Sequence, residues 1–323
     1  LSLSLKVLLG VPQGSILGPL LFTIFINDIF FFITDSKLAN YADDNTLYTV
    51  DKDTEQLLGT LKRETSVVLE WFRQNEMKRN DDKCHLIICN QENHSVTIGN
   101  EIIKTSDSVE LLGINIDNNL KFTDHVSELC KKGNQKLHAL ARISNYLSQD
   151  KLKIIMKTFI TSQFNYCPLV WMFHNRTINH KIDRLHERAL RLVYKTNELT
   201  FQELLDKDNS VTIHHRNLQR LVTEMFKIKN HISPLPMQEL FSEAENQHDL
   251  RKKRLWKSDL IRTVQYGSET VRNMGPKTWD LVPNDIKNSA SLREFKTRIK
   301  TWVPRGCTCR NCKIYVNNLG FLT

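Results

Sequence analysis

The sequence predicts an α+β chain, with strands and helices mixed up to about Phe122 and helices alone from Thr123 onward. Three observations carry this expectation. Short apolar and β-branched runs bounded by Asn, Asp and Gly are confined to the first 122 residues. Apolar residues recur at helical spacing through much of the remainder. The charge divides as well: residues 1–94 sum to −4 and residues 95–323 to +13, within a formal total of +9.

The first element is a helix in VPQGSILGPLLFTIFINDIF. Pro12 and Gly14 break the chain ahead of it, Ser15 is a candidate N-cap, and Pro19 suits a first helical turn. Residues 16–33 are apolar enough to be mistaken for a membrane span, but Gly18-Pro19 and Asn27-Asp28 point to a buried helix, and no membrane segment is expected. A hairpin follows, with strands at 38–42 and 46–50 and Asp43-Asp44-Asn45 as its turn. From Asp53 the period is helical, placing Leu57, Leu58, Leu61, Val68, Leu69 and Phe72 on one face as far as about Asn75.

Short strands come next: HLIIC, a hairpin around Gly99-Asn100, and VELLGINI, closed by the turn residues Asp117-Asn118-Asn119. Helices are then expected at 124–147, 150–164, 178–194, 213–230 and 291–302. The last has Ser291 and Glu294 in capping-box spacing, with Leu292, Phe295, Ile299 and Trp302 as its core stripe. HISPLPMQ, residues 231–238, reads as a linker because its prolines cannot continue a helix.

With 323 residues, 40% hydrophobic and 25% charged, the chain has enough length for two or three modest cores. The downstream basic surplus suggests a polyanionic partner. Seven cysteines are an odd set, and Cys84, Cys89, Cys130 and Cys167 sit singly in apolar stretches, which favours reduced thiols in the nucleus and/or cytoplasm. The first residue is Leu and no signal peptide opens the chain, so it reads as a fragment.

Asp43 and Asp44 are the candidate chemistry. Two unit charges about 4 Å apart repel by roughly 4 kcal/mol at an effective dielectric of about 20, so a tip carrying both calls for compensation. Asp-Asp-Asn is good turn chemistry in its own right. The pair also suits a divalent cation, since Mg²⁺ takes one or two carboxylates and completes its octahedron with water and phosphate oxygens.

The surrounding text decides between these. GVPQGSILGPLLF, YADD, LEWFRQNEMKRNDDK and LLGINIDNNLKFTDHV, in that order, closely resemble the reverse transcriptase of non-LTR retrotransposons. The resemblance implies a partial right-hand polymerase palm, helices on an antiparallel sheet, followed by a mostly helical thumb and C-terminal region. It divides the chain into a palm with primer-grip hairpin at 1–122, a helical thumb or connection at 123–230, and a basic C-terminal region at 231–323. It makes Asp43 and Asp44 the catalytic ligands of Mg²⁺ (or Mn²⁺) and places Gln13, Gly14 and Tyr41 near the nucleotide and template. Lys83 faces the triphosphate in this scheme, with a solvated surface lysine as the other reading. The implied partners are an RNA template, a DNA primer and deoxynucleotide triphosphates.

The same resemblance implies a third carboxylate on a strand upstream of the Gly-rich loop, where this sequence has only LSLSLKVLL. The expectation is therefore an RNA-directed DNA polymerase by family that is inactive as this chain alone, with a non-catalytic nucleic-acid-binding remnant as the alternative.

In INHKIDRLHERALRLVYK, Lys181, Arg184, Arg188, Arg191 and Lys195 recur at spacings of three and four, which aligns them along one helix face as candidates for tracking a nucleic-acid backbone. RKKR at 251–254 fits a nuclear-localisation patch, a phosphate contact or a charged helix end equally well. Finally, CTCRNCK carries Cys307, Cys309 and Cys312. Tetrahedral Zn²⁺ needs four ligands and only three are local, with no histidine after His248, so free thiols on a basic tail are expected in preference to zinc.

Overall fold

A computed structural model describes residues 10, 14–78, 80, 83–89, 95–98, 101–173, 176–244, 255–257 and 260–312. The chain divides into two compact units, Leu1–Glu110 and Leu111–Thr323. Gln13, the basic run at 251–254 and everything after Cys312 lie outside the described residues.

The first unit opens with helix α1 (Gly18–Ile26), whose start is tied down by Ser15 Oγ accepting from the Gly18 amide at 2.9 Å. A 3₁₀ segment (Asn27–Phe32) leads to strands β1 (Lys37–Tyr41) and β2 (Asp44–Tyr48), then to α2 (Thr54–Gln74). Asp53 caps α2 by accepting from the Glu55 amide at 2.9 Å. Ile26, Ile29, Val68 and Trp71 form the core between these elements. Glu64 is buried within α2 but satisfied, its carboxylate accepting from the amide (3.1 Å) and hydroxyl (3.2 Å) of Thr34.

Two expectations change here. Helix α1 is not buried: only Gly18 and Ile26 are, while Leu20, Leu21, Ile24 and Phe25 are exposed, because α1 packs one edge toward Trp71 of α2 and leaves its other faces open. The hairpin also turns one residue earlier than its composition suggests. Tyr41 pairs with Asp44 and Asn40 with Asn45, so Ala42-Asp43 is the two-residue loop and Asp44 begins the return strand.

Strands β3 (Ser95–Ile98) and β4 (Glu101–Lys104) pair antiparallel, and β5 (Ser108–Leu111) pairs with β6 (Ile114–Asp117). The expected single sheet is thus three two-stranded ones among the described residues, because each strand is four or five residues long and pairs with its chain neighbour across a tight connection. HLIIC contributes an isolated bridge, Leu86 to Thr105, rather than a strand. VELLGINI is two strands, folded at Leu112-Gly113, whose φ values of +48° and +79° are those of a two-residue hairpin turn.

The second unit is helical: α3 (Thr123–Ile143), α4 (Gln149–Ile155), α5 (Pro168–Trp171), α6 (Arg176–Tyr194), α7 (Phe201–Asp208), α8 (Ile213–Lys229), α9 (Leu235–Gln238), α10 (Val271–Asp280), α11 (Asn284–Lys287) and α12 (Leu292–Ile299). Helix α4 runs on through a π-turn at Met156–Ile160 and a 3₁₀ turn at Thr161–Asn165, which accounts for the expected length to Phe164. One core gathers Val126, Leu137, Leu152, Phe164, Trp171, Ile182 and Leu190. Another gathers Val222, Phe226, Trp279, Phe295 and Ile299, where the rings of Phe226 and Phe295 stack at 4.3 Å. The helix starts follow their caps: Thr200 and Glu203 form a reciprocal capping box on α7, and Ser291 Oγ accepts from the Glu294 amide at 3.2 Å on α12. No helix among the described residues is long and apolar enough to cross a membrane.

Candidate active site and nucleic-acid interface

The sequence of the hairpin dictates its geometry. Leu38 of β1 packs against the core and pairs with the half-buried Leu47 of β2, which leaves Tyr41, Asp43 and Asp44 at the exposed end. Ala42 holds φ +53°, an unfavourable left-handed conformation for a residue with a Cβ, and the Asn45 side-chain amide donates to the Asp43 carbonyl at 3.0 Å across the loop. The fold thus exposes both carboxylates to solvent, Asp43 in the two-residue loop and Asp44 at the head of the return strand.

As a donor set the pair is hard oxygen only, which suits Mg²⁺ completed by phosphate oxygens and water. Among the described residues no third carboxylate, histidine or cysteine joins Asp43 and Asp44. Gly14 is exposed with φ +80°, a conformation that strains any residue with a Cβ, so the chain there can bend sharply ahead of α1. Lys83 is exposed, its amide donating to the Asn80 carbonyl at 3.2 Å, and no hydrogen bond or ion pair joins it to Asp43 or Asp44. The structure therefore brings Tyr41, Asp43 and Asp44 together at the hairpin tip, with no direct bond from Lys83 to either aspartate.

In the second unit the predicted basic face resolves into a groove of about 500 Å³ between α3 and α6. Lys181, Arg184 and Arg188 line its α6 wall, and Ser127, Lys131, Asn134, Gln135 and His138 line the α3 wall. Lys131 and His138 were not singled out from sequence, because only the packing of α3 on α6 shows which face of α3 borders the groove. Arg188 is oriented by a 2.9 Å hydrogen bond to Asn134 Oδ1.

The stripe does not hold all five residues. Arg191 is drawn into an ion pair with Glu187 (2.7 Å) and a hydrogen bond to the Asn197 carbonyl, and Lys195 lies past the end of α6 with φ +49°. The helix ends at Tyr194, so the three-and-four spacing loses its meaning there.

The terminal cysteines differ most from expectation. Expected as free thiols on a basic tail, Cys307, Cys309 and Cys312 form no disulfide but are buried, packed with Met172, Leu218, Leu221 and Met274. His214, at the start of α8, comes within 3.2 Å of Cys309 Sγ through Nε2. Hydrogen bonds from the other two thiols hold Cys307 well below the usual thiol range, at about 3, and the same interactions push Cys309 up to about 12 and raise Cys312. No local motif announces His214, which lies 95 residues before Cys309.

Helices with small antiparallel sheets fit a polymerase palm. Residues 4–116 match the family described as Reverse transcriptase (RNA-dependent DNA polymerase). Among relatives, the chain is 25% identical over 200 residues to the RNA-directed DNA polymerase from mobile element jockey of Drosophila melanogaster, and 27% over 197 residues to that of Drosophila funebris. Each match covers 57% of this chain and 22% of the relative. A Nasonia vitripennis protein, the Retrovirus-related Pol polyprotein from type-1 retrotransposable element R1 2, is 22% identical over 176 residues, 50% of this chain and 43% of its own length. The chain therefore spans about a fifth of the jockey relatives. No solved structure matches it.

Proposed function

We propose that the chain is a segment of an RNA-directed DNA polymerase of a non-LTR mobile element, carrying its metal-binding hairpin and a helical thumb that grips the template-primer duplex. The observation that carries this reading is the Tyr41-Ala42-Asp43-Asp44 tip, where two successive carboxylates face solvent at a tight hairpin loop with Ala42 at positive φ, within the matched region. Asp43 and Asp44 would hold Mg²⁺, which neutralises phosphate charge when bound. In the reaction of the family, a primer 3′-hydroxyl attacks the α-phosphate of a deoxynucleotide and pyrophosphate leaves. The chain's own part is to present the two carboxylates, and to hold backbone phosphates along Lys131, Lys181, Arg184 and Arg188.

A second reading, a nucleic-acid-binding remnant without catalysis, is favoured by one observation: no third metal-binding side chain joins the aspartate pair among the described residues. Primer extension on an RNA template with Mg²⁺ and deoxynucleotides separates the two. Extension that is lost in Asp43→Asn establishes the polymerase; salt-dependent duplex binding without extension establishes the remnant. Absence of both would sink the nucleic-acid reading altogether.

A further inference from the structure

We propose that His214, Cys307, Cys309 and Cys312 form a tetrahedral Zn²⁺ site that fastens residues 307–312 to the start of α8. Three ligand atoms, His214 Nε2 and the sulfurs of Cys309 and Cys312, lie within 4.8 Å of one another, and Cys307 is buried in the same cluster as the two cysteines. Zn–S bonds of about 2.3 Å and Zn–N bonds of about 2.0–2.1 Å in a tetrahedron set the ligand atoms roughly 3.5–3.8 Å apart, so these three groups are already near the spacing that the ion imposes, and Cys307 is the thiol at hand to complete the set. The set Cys₃His is one that closed, structural zinc sites use.

A core of buried thiols is the alternative, since free cysteine packs as a small hydrophobe. Two features argue against it. A core of small hydrophobes has no need of an imidazole, yet His214 is only 2% exposed and its Nε2 lies 3.2 Å from Cys309. The Cys312 amide also donates to Cys309 Sγ at 3.3 Å, which is the outer-shell support that a metal-bound thiolate needs and a thiol does not. The surroundings of Met172, Leu218, Leu221 and Met274 exclude water, as a structural rather than catalytic site requires.

The site would join two segments 95 residues apart in sequence, the second of them coil and turn from 307 to 311. Because it lies within the second unit, its test is independent of polymerase activity.

The test uses the full chain, purified under reducing conditions and titrated with Co²⁺ alone. One equivalent should bind with the strong visible absorption of tetrahedral cobalt and sulfur-to-metal charge transfer, and one equivalent of Zn²⁺ should abolish that spectrum. His214→Asn should weaken Co²⁺ binding by at least the order of 100-fold that outer-shell changes reach. His214→Cys should bind again with charge-transfer absorption raised by about one third, as a fourth thiolate replaces the imidazole. Cys167→Ser, at an exposed cysteine outside the cluster, should change nothing.

A weak octahedral spectrum, or wild-type cysteines recovered as a disulfide with no bound metal, overturns the proposal. So does a His214→Cys spectrum that stays at the three-thiolate level, which would remove His214 from the ligand set even if His214→Asn failed to fold.

Discussion

A methyl group built on Gly133 would stand 2.5 Å from Cδ2 of Leu185, so α3 and α6 cross closely with the end of the Leu185 side chain seated against the glycine. Leu185 is buried, and the end of its side chain would have to shift to admit a larger residue. The glycine lies between Lys131 and Asn134, and the close crossing is what sets the two walls of the basic groove opposite each other. Replacing a mid-helix glycine ordinarily gains up to about 1 kcal/mol. Gly133→Val should instead destabilise the chain by about 1–3 kcal/mol through overpacking. Denaturant unfolding measures this, and a neutral or stabilising Val would show that the helices can part freely.

The groove predicts an order among its arginines. Arg184 and Lys181 are exposed on its wall, whereas Arg191 is already committed to Glu187 and the Asn197 carbonyl. Arg184→Ala should therefore reduce the salt dependence of duplex binding by a log slope of roughly 0.9, one phosphate's worth. Arg191→Ala should leave the slope nearly unchanged. Fluorescence anisotropy across a salt series reads both, and equal effects would mean that the groove is not the phosphate track.

At the hairpin tip, the side chain at position 42 matters more to folding than the aspartates do. Asp43→Asn touches an exposed group and should shift stability by no more than about 0.5 kcal/mol. Ala42→Val places a β-branched residue at φ +53° and should cost about 1–2 kcal/mol. Thermal unfolding of the two variants side by side checks this. The contrast is useful, because loss of activity in Asp43→Asn could then be read as chemistry rather than misfolding.

Acid should weaken the second unit through His186. Burial, with Arg216 and Lys157 adding positive charge nearby and Asp208 opposing them, lowers this imidazole to about 4. Its ring packs edge-on against Phe201. The unfolded histidine, at about 6.5, takes up a proton before the folded one does, so its contribution is complete above about 6.5 and is lost as pH falls toward about 4. The loss amounts to about 3 kcal/mol for this group alone. Unfolding free energies measured from pH 7 to 4 should show that slope, and His186→Leu should flatten it. An unchanged slope in the variant would assign the acid sensitivity elsewhere.

Local features were legible from sequence, and features fixed by distant partners were not. Asp53 and Ser291 cap helices, and Ser15 accepts from the Gly18 amide although the N-cap of α1 itself is Leu17; each satisfies an amide two or three residues away, and that information is local. The α6 stripe was visible for the same reason, although spacing could not reveal that Arg191 prefers Glu187 or that the helix stops at Tyr194. Helix α10 is not among the helices expected from sequence; it carries Gly275-Pro276 within it, and a Cβ at Gly275 would meet Met225 Sδ at 2.8 Å, a contact that only the folded chain reveals. His214 could not be matched to the terminal cysteines, because only the folded path of 95 residues brings them together.

The uncovered faces of α1 bear on how this chain behaves in a tube. Ile16 is 96% exposed, Ile24 65% and Phe31 80%, on a stretch whose composition is that of an interior helix. Such a surface is adhesive. It should take up ANS in the native state, adsorb to phenyl resin, and drive self-association as concentration rises. Mild detergent, or charged residues at positions 20 and 24, would then decide the yield of soluble material well before the stability of either core does.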